Sequence, residues 1–136
     1  NNKMGSYIAK QTVKLMKRKS INLVGANILI MGLTFKENCP DIRNTRIIDL
    51  VEEFEKFKSN VDIYDPWADT TEAINEYKIK LIDFPTTKKY DAILLAVAHK
   101  KFKEMSISKI RSFGKKKSVV FDAKHLFEAF QTDGRL

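Results

Sequence analysis

Apolar positions follow two different spacings along this chain, and the two spacings predict different elements. Short apolar runs typical of strands lie near residues 27–33, 61–65, 79–83, 92–97 and 118–121. Before and between them, apolar residues recur at helical spacing near residues 4–18, 45–58, 70–77 and 101–113. Strands that alternate with helices indicate βαβ crossovers, and such crossovers connect parallel strands.

The degree of apolarity predicts where each strand lies in the sheet. The runs at 27–31 and 92–97 contain almost only apolar residues, so we expect both in the centre of a sheet that helices cover on both faces. The runs at 61–64 and 79–82 alternate more, as strands nearer an edge do. Numbered along the chain, the predicted strands lie in the order 3-2-1-4-5. The expected fold is a three-layer α/β/α, Rossmann-like parallel sheet.

The first predicted helix stands apart from this alternation, because it precedes the first strand and belongs to no βα pair. Its repeat is defined by Met4, Tyr7, Ile8, Gln11 and Leu15. It begins without a clear cap residue. We interpret it as the end of a long connecting helix, and the chain as a fragment of a longer protein.

Length and composition are those of one ordered globular domain. The chain has 136 residues, of which 43% are hydrophobic and 31% charged, and a chain of this length buries roughly two-thirds of the surface that its unfolded form exposes. No apolar run reaches the length of a membrane span, and the first residues lack the layout of a signal peptide. The single cysteine cannot form an internal disulfide. These features predict a cytoplasmic protein.

The charge balance favours an anionic partner. Lys and Arg number 25 against 17 Asp and Glu, which gives a formal charge of +8. Part of the excess is clustered, in Lys14, Lys17, Arg18 and Lys19 at the end of the first helix and in Lys115–Lys117, which we expect in a turn. Solvated helix ends and turns explain such clusters, so the charge alone identifies no ligand.

A loop with candidate chemistry follows the first strand. It runs from Gly32 to Thr45 and carries Lys36 and Arg43. In an open α/β sheet, ligands lie at the carboxyl ends of the strands where strand order reverses. Other polar residues are expected at this edge after the fourth and fifth predicted strands, namely His99, Lys100, Asp122 and Lys124. This convergence predicts an anion site, for example for a diphosphate, and ordinary solvated charges are the alternative.

Other motifs are absent or have a structural explanation. After Gly32 the next glycine is Gly114, so the glycine-rich turn of a dinucleotide-binding fold is missing. Cys39 has no evident base beside it, which favours a structural role over a nucleophilic one. Asp65 precedes a proline, and a turn explains it better than a ribose contact. For His99 we favour a structural role, with capping or ligand contact as the alternatives.

Four segments together resemble a known family. They are Gly32–Lys36, Pro40–Asn44, Tyr64–Pro66 and Ala96–His99, with the sequences GLTFK, PDIRN, YDP and AVAH. These motifs resemble the C-terminal domain of the UDP-glucose/GDP-mannose dehydrogenases over nearly the whole chain. The stretch Asn38–Asp41 is most similar to members that oxidise UDP-N-acetylhexosamines to uronic acids for surface polysaccharides.

The resemblance implies a division of the chain and a place in a reaction. Residues 1–22 would be the end of the central connecting helix, and residues 23–136 the C-terminal UDP-sugar-binding domain. The intact enzyme would be a homo-oligomer that oxidises the C6 alcohol of a UDP-sugar with NAD, through a thiohemiacetal and a thioester on a cysteine. The resemblance places that cysteine, the NAD fold and the catalytic lysine and aspartate upstream of this chain. The isolated chain is therefore expected to bind weakly and to catalyse nothing.

The resemblance also implies roles for individual residues. Lys36, with Phe35 beside it, would contact the UDP-sugar, and Arg43 would reach the NAD held by the other domain. Lys124 would complete the substrate site after the last strand, where the family commonly has arginine. Lysine lacks the two-pronged donor geometry of arginine. No catalytic residue and no metal ligand is assigned to this chain.

Two other functions are compatible with the residues alone. A basic α/β module would bind nucleic acid or another polyanion without chemistry, and its binding would depend steeply on salt and little on the identity of the base. In a purely structural role, the loop charges would contact a neighbouring domain. With the resemblance, the preferred partner is a UDP-sugar rather than nucleic acid or a membrane.

Overall fold

The computed structural model describes residues 2–136, in which parallel strands alternate with helices. In chain order the elements are α1 (Asn2–Arg18), β1 (Asn27–Met31), α2 (Ile47–Lys56), β2 (Asn60–Tyr64), α3 (Thr70–Tyr77), β3 (Tyr90–Leu95), α4 (Lys100–Glu104), α5 (Ser106–Ser112), β4 (Gly114–Asp122), a 3₁₀ turn (Ala129–Gln131) and β5 (Gly134–Arg135). Within this described range, no helix combines the length and the apolarity that crossing a bilayer would require.

The five strands are parallel and lie in the order β2-β1-β3-β4-β5. Predicted strands 2, 1, 4 and 5 correspond to β2, β1, β3 and β4, so their predicted order is confirmed. The chain leaves β1 toward β2 on one side and then crosses to β3 on the other side of β1. Strand order therefore reverses between β1 and β3, which is the position where such sheets hold ligands.

The predicted strand at 79–83 is not a strand, and β5 was not predicted. The segment at 79–83 runs beside β2 as expected, but among the described residues one main-chain hydrogen bond joins the two, from the Ile82 N–H to the Ile63 oxygen at 3.0 Å. Leu81 and Ile82 pack into different hydrophobic clusters, so successive side chains alternate between the two faces of the sheet as the sequence predicts. The segment nevertheless lacks the series of main-chain hydrogen bonds that defines a strand. β5 has two residues, which is too short for a periodic signal.

Helices cover both faces of the sheet. Side chains of β1 and β3 are almost fully buried and alternate between two hydrophobic clusters. Ile30 belongs to the first cluster together with Phe54 of α2, whereas Leu29 belongs to the second together with Phe102 and Ile110 of α4 and α5. This arrangement confirms the three-layer α/β/α fold.

The first helix joins the core through a face that the sequence repeat identified only in part. Its buried side chains are Ile8, Ala9, Thr12, Val13 and Met16, whereas Met4 and Tyr7 of the predicted stripe are about half exposed. A Cβ atom at Gly5 would lie 3.0 Å from the Asp49 Cβ of α2. The absence of a side chain at Gly5 therefore lets α1 approach α2 closely at its first turns.

Two further expectations about local structure are wrong. The single helix predicted at 101–113 is divided into α4 and α5 at Met105. Lys115–Lys117 do not form a turn but lie in the first half of β4, where the strand bulges between Gly114 and Val119. The three lysines are exposed there, at the amino end of the sheet.

Gly32 brings the loop after β1 into contact with the end of β3. Its φ is +116°, a conformation that residues with side chains rarely adopt. A Cβ atom at this position would lie 2.5 Å from the Cβ of Val97, closer than carbon atoms pack. The absence of a side chain therefore allows two loops of the carboxyl edge to touch.

The Asp65 carboxylate joins the ends of three strands. It is buried directly after β2, and its Oδ2 accepts the N–H groups of Leu33 (2.6 Å) and Thr34 (3.0 Å) in the loop after β1. Nε2 of His99, which follows β3, lies 3.0 Å from the same oxygen. The carboxylate thereby fixes the loop after β1 against the end of β3.

The second oxygen of Asp65 forms the predicted turn. Oδ1 accepts the N–H groups of Trp67 (2.8 Å) and Ala68 (3.2 Å), which confirms the turn at Asp65–Pro66. Burial raises the pKa of this carboxyl, but the hydrogen bonds from His99 and from the main chain outweigh burial. The pKa of Asp65 therefore lies below its ordinary value.

We expect Gly32→Ala to lower the free energy of unfolding by about 2 to 4 kcal/mol, because the substitution combines a strained φ with overpacking against Val97. Gly25→Ala is the matched control: Gly25 also has a positive φ (+78°), but no described atom lies within 4 Å of its added Cβ. That variant should lose only about 1 to 2 kcal/mol. Urea unfolding measures both, and equal losses would contradict the close approach to Val97.

Acid should destabilise the fold through Asp65. Because its folded-state pKa lies below its unfolded value of about 3.9, the ionised carboxylate stabilises the fold fully above that value, and the stabilisation is lost as the pH falls through the folded-state pKa. Asp65→Asn should be less stable by about 2 kcal/mol at neutral pH and should lose less stability between about pH 5 and about pH 3.

Urea unfolding of both proteins across this pH range measures the difference. Asp133 also has a lowered pKa, because hydrogen bonds from Val120 and Lys19 outweigh its burial, but it is present in both proteins and its effect cancels. Parallel pH profiles would show that the Asp65 carboxylate is not the group that stabilises the strand ends.

Candidate functional site

A cavity of about 170 Å³ opens at the carboxyl edge of the sheet, where strand order reverses. Three segments form its walls: the loop after β1, the residues that follow β3, and the residues that follow β4. Its lining includes Phe35, Lys36, Arg46, Val97 and Lys124. The close approach of Gly32 to Val97 and the hydrogen bonds of Asp65 fix two of these three walls.

The structure brings three of the residues predicted from the sequence to this cavity. Phe35, Lys36 and Lys124 all line it, and the ring of Phe35 is 55% exposed. The Lys36 and Lys124 side chains are exposed, and among residues 2–136 neither ammonium group makes an ion pair or a hydrogen bond. Unpaired ammonium groups suit phosphate oxygens, and an exposed aromatic ring suits a flat heterocycle.

Arg43 does not line the cavity. Its side chain is 81% exposed, and the guanidinium forms a two-pronged pair with Asp41, with Nε–Oδ1 and Nη2–Oδ2 distances of 3.0 Å. The side-chain hydrogen bonds raise the pKa of Arg43 and lower the pKa of Asp41. The pair folds Arg43 back onto its own loop, so a ligand bound by another domain would have to share this cation with Asp41.

Arg46 is a cavity residue that the sequence analysis missed. It lines the 170 Å³ cavity and also an adjoining, more apolar cavity of about 190 Å³, whose walls include Met4, Ile8 and Leu136. The two adjoining cavities together form one groove. Arg46 and Lys124 lie where its polar part, the 170 Å³ cavity, meets its apolar part, the 190 Å³ cavity. The available signal was its position directly before α2, a helix whose first turn faces the carboxyl edge.

The other polar residues expected at this edge serve the structure. Lys100 is exposed on α4 and does not line the cavity. Asp122 is buried, and its carboxylate accepts the main-chain N–H of Lys124 (3.2 Å) and the N–H groups of residues 126 and 127. Asp122 therefore shapes the turn that carries Lys124 instead of facing a ligand.

His99 is fully buried and bonded at both ring nitrogens. Nδ1 accepts the N–H of Asn38 at 3.0 Å, so the ring proton is on Nε2, which faces Asp65 Oδ2 at 3.0 Å. The hydroxyl of Thr34 lies 3.2 Å from Nε2. His99 begins α4 without a side-chain capping hydrogen bond. The geometry supports the structural role and gives no support to capping or to direct ligand contact.

Cys39 makes no side-chain hydrogen bond or ion pair with any described residue. It is a partly exposed free thiol next to Asn38. The imidazole of His99 binds Asn38 and Asp65 with its two nitrogens and is therefore occupied. Within the described part of the chain, no group of three or more His, Cys, Asp or Glu side chains could hold a metal ion. The cavity thus presents two lysines, an arginine and an exposed aromatic ring.

Comparison with known proteins agrees with the motifs. The model of the UDP-glucose/GDP-mannose dehydrogenase family, UDP binding domain, matches residues 29–129. Over all 136 residues, the chain is 50% identical to the UDP-N-acetyl-D-glucosamine 6-dehydrogenase of Salmonella typhi and 45% identical to that of Pseudomonas aeruginosa. It spans 32% of the length of each of these relatives.

A solved structure shows the same fold. The NDP-N-acetyl-D-galactosaminuronic acid dehydrogenase of Methanosarcina mazei Go1 superposes with a TM-score of 0.85 over 96% of this chain and 27% of its own, at 19% identity. The family match includes the last three residues of β1, the loop that carries Lys36, and the turn that carries Lys124. As the motifs predicted, this chain belongs to the UDP-glucose/GDP-mannose dehydrogenase family and corresponds to its UDP binding domain.

Proposed function

We propose that this chain binds the nucleotide half of a UDP-sugar within an NAD-dependent UDP-sugar 6-dehydrogenase. The observation that carries the proposal is the cavity at the strand-order reversal, with two unpaired ammonium groups and an exposed aromatic ring. The UDP-binding description of the family supports the choice of ligand. The names of the relatives make UDP-N-acetyl-D-glucosamine the first sugar nucleotide to test.

In the proposed complex, the diphosphate lies among three cations. Lys36, Arg46 and Lys124 line the same cavity and come from two different loops. Each charge-assisted hydrogen bond to a phosphate oxygen stabilises the complex by about 1.5 to 3 kcal/mol, so two or three of them suffice for measurable binding. Phe35 would contact the uracil or ribose, and the carboxylate of Glu37 in the same wall would accept hydrogen bonds from ribose hydroxyls.

The oxidation is assigned to regions that the chain does not include. The chain spans 32% of its relatives, and the family resemblance places the NAD fold and the catalytic cysteine in the remainder. Cys39 lacks a base, so no covalent step is assigned to it. Arg43, exposed beside the cavity loop, is the proposed contact to NAD held by the other domain. The proposal includes a homo-oligomeric, cytoplasmic enzyme that produces uronic acids for surface polysaccharides.

The distribution of basic residues favours UDP over a polyanion. Lys115–Lys117 lie at the amino end of the sheet, whereas Lys36 and Lys124 lie at the carboxyl end. The two groups therefore lie at opposite ends of the strands. A UDP molecule needs only the compact group at the cavity, whereas a nucleic-acid strand needs several phosphate contacts along one face.

Lys36→Ala should weaken UDP binding at least tenfold, because it removes a charge-assisted hydrogen bond worth about 1.5 kcal/mol or more. Calorimetric titration of UDP into the chain and into the variant measures the change. Lys116→Ala is the matched control, since it removes the same charge from an exposed lysine at the opposite edge. It should leave the affinity for UDP unchanged.

AMP and a short single-stranded DNA serve as competing ligands in the same titrations. The proposal requires UDP to bind more tightly than AMP and with a weaker salt dependence than DNA. Failure of the unmodified chain to bind UDP, or DNA binding that Lys36→Ala does not alter, would contradict it.

Alanine substitutions of the two arginines that follow β1, Arg43 and Arg46, should change the affinity for UDP to different extents. Arg43→Ala is expected to leave the Kd for UDP within about twofold, because Arg43 pairs with Asp41 outside the cavity. Arg46→Ala should raise that Kd by about tenfold, the effect of losing one charged hydrogen bond. Calorimetry on both variants makes the comparison, and a larger effect from Arg43→Ala would contradict the assignment of the cavity.

A further inference from the structure

We propose that His99 is a positioning residue that fixes the backbone of Thr34–Asn38 and thereby places Lys36 at the groove. The inference rests on the proposed UDP site, because it concerns the loop segment that carries Lys36. His99 does not line the cavity and is fully buried, so it acts through the loop and not through the ligand.

The two ring nitrogens of His99 contact the loop on both sides of Lys36. Nδ1 accepts the N–H of Asn38 (3.0 Å), two residues after Lys36. Nε2 lies 3.2 Å from the hydroxyl of Thr34, two residues before Lys36. That hydroxyl in turn donates to the main-chain oxygen of Lys36 at 2.9 Å. One rigid ring therefore contacts both ends of the segment from which the Lys36 side chain projects.

The two ends of the segment differ in how they are held. Leu33 and Thr34 also donate their N–H groups to Asp65, so the first end keeps two anchors without His99. At the second end, the one main-chain hydrogen bond of Asn38 among the described residues runs from its N–H to Nδ1. The Phe35 N–H also donates to the Asp41 oxygen at 2.7 Å and closes the loop beyond this point. Asn38 adopts a positive φ of 55°, a conformation that asparagine tolerates better than most residues. The acceptor at Nδ1 is thus the critical atom.

The Asn38 side chain extends this contact to the loop after β3. Its Oδ1 accepts the N–H of Lys100 at 2.9 Å, next to His99 in the sequence. Asn38 is therefore bound through both its backbone and its side chain to residues 99–100. This bonding pattern requires one tautomer of the buried imidazole, in which Nδ1 accepts and Nε2 donates a hydrogen bond.

Two substitutions separate the acceptor from the donor. In His99→Asn, a side-chain oxygen can occupy the position of Nδ1 and still accept the Asn38 N–H, but the amide does not extend to Asp65. In His99→Gln, the longer amide can donate to Asp65 but offers no acceptor at the position of Nδ1. Both variants lose one partner of the buried network, so a role limited to general stability predicts similar effects from the two.

We expect His99→Gln to weaken UDP binding at least tenfold and His99→Asn to weaken it less than threefold, at comparable melting temperatures. Hydrogen exchange without UDP should show faster exchange of the amides at residues 36–38 in His99→Gln than in His99→Asn. Equal exchange in the two variants, or a difference in exchange without a difference in UDP affinity, would overturn the proposal.

If a variant does not fold, measurements on the unmodified chain still test the role of His99. Nitrogen NMR should show His99 with an unprotonated Nδ1 and a protonated Nε2, and the Asn38 amide should exchange as slowly as amides within β1. Rapid exchange of that amide, or a protonated Nδ1, would overturn the proposal. Because hydrogen exchange and the nitrogen spectrum need no ligand, they still test the role of His99 if UDP fails to bind and the proposed function is wrong.

Discussion

The hydrogen bonding of one buried carboxylate determines how the carboxyl edge of this sheet is built. Asp65 accepts four main-chain N–H groups and faces the ring of His99, so its charge is spread over donors from three loops. A buried carboxylate without such donors would be strongly unfavourable, and removing any loop would leave part of that charge unsatisfied. The loops therefore adopt their arrangement together, and the groove above them has one shape.

The same edge separates structural anions from exposed cations. Asp65 and Asp122 are buried and direct their oxygens to main-chain N–H groups, whereas Lys36 and Lys124 extend to the surface of the groove. The dipoles of the main-chain N–H groups that point at these carboxylates offset part of the negative field that the carboxylates exert on the groove. The site can thus attract an anion although two acidic residues end strands beside it.

The sequence predicts features that depend on local patterns and misses those that depend on contacts between distant loops. Uninterrupted apolar runs identified β1 and β3 as central strands, and the loop after β1 was correctly placed at the reversal of strand order. The buried face of α1 was predicted only in part, because it includes Ala9, Thr12 and Val13, which the stripe of larger side chains did not contain. The two-sided bonding of His99 joins residues more than sixty positions apart, which no local pattern reveals.

The packing of α1 has a mechanical consequence for the groove. Ile8 of this helix is part of the main hydrophobic cluster and also lines the apolar end of the groove, where Met4 and Gly5 accompany it. Interiors packed in this way transmit displacement instead of absorbing it. A rotation of α1 about its own axis would therefore move the residues that line the apolar end of the groove and change its width.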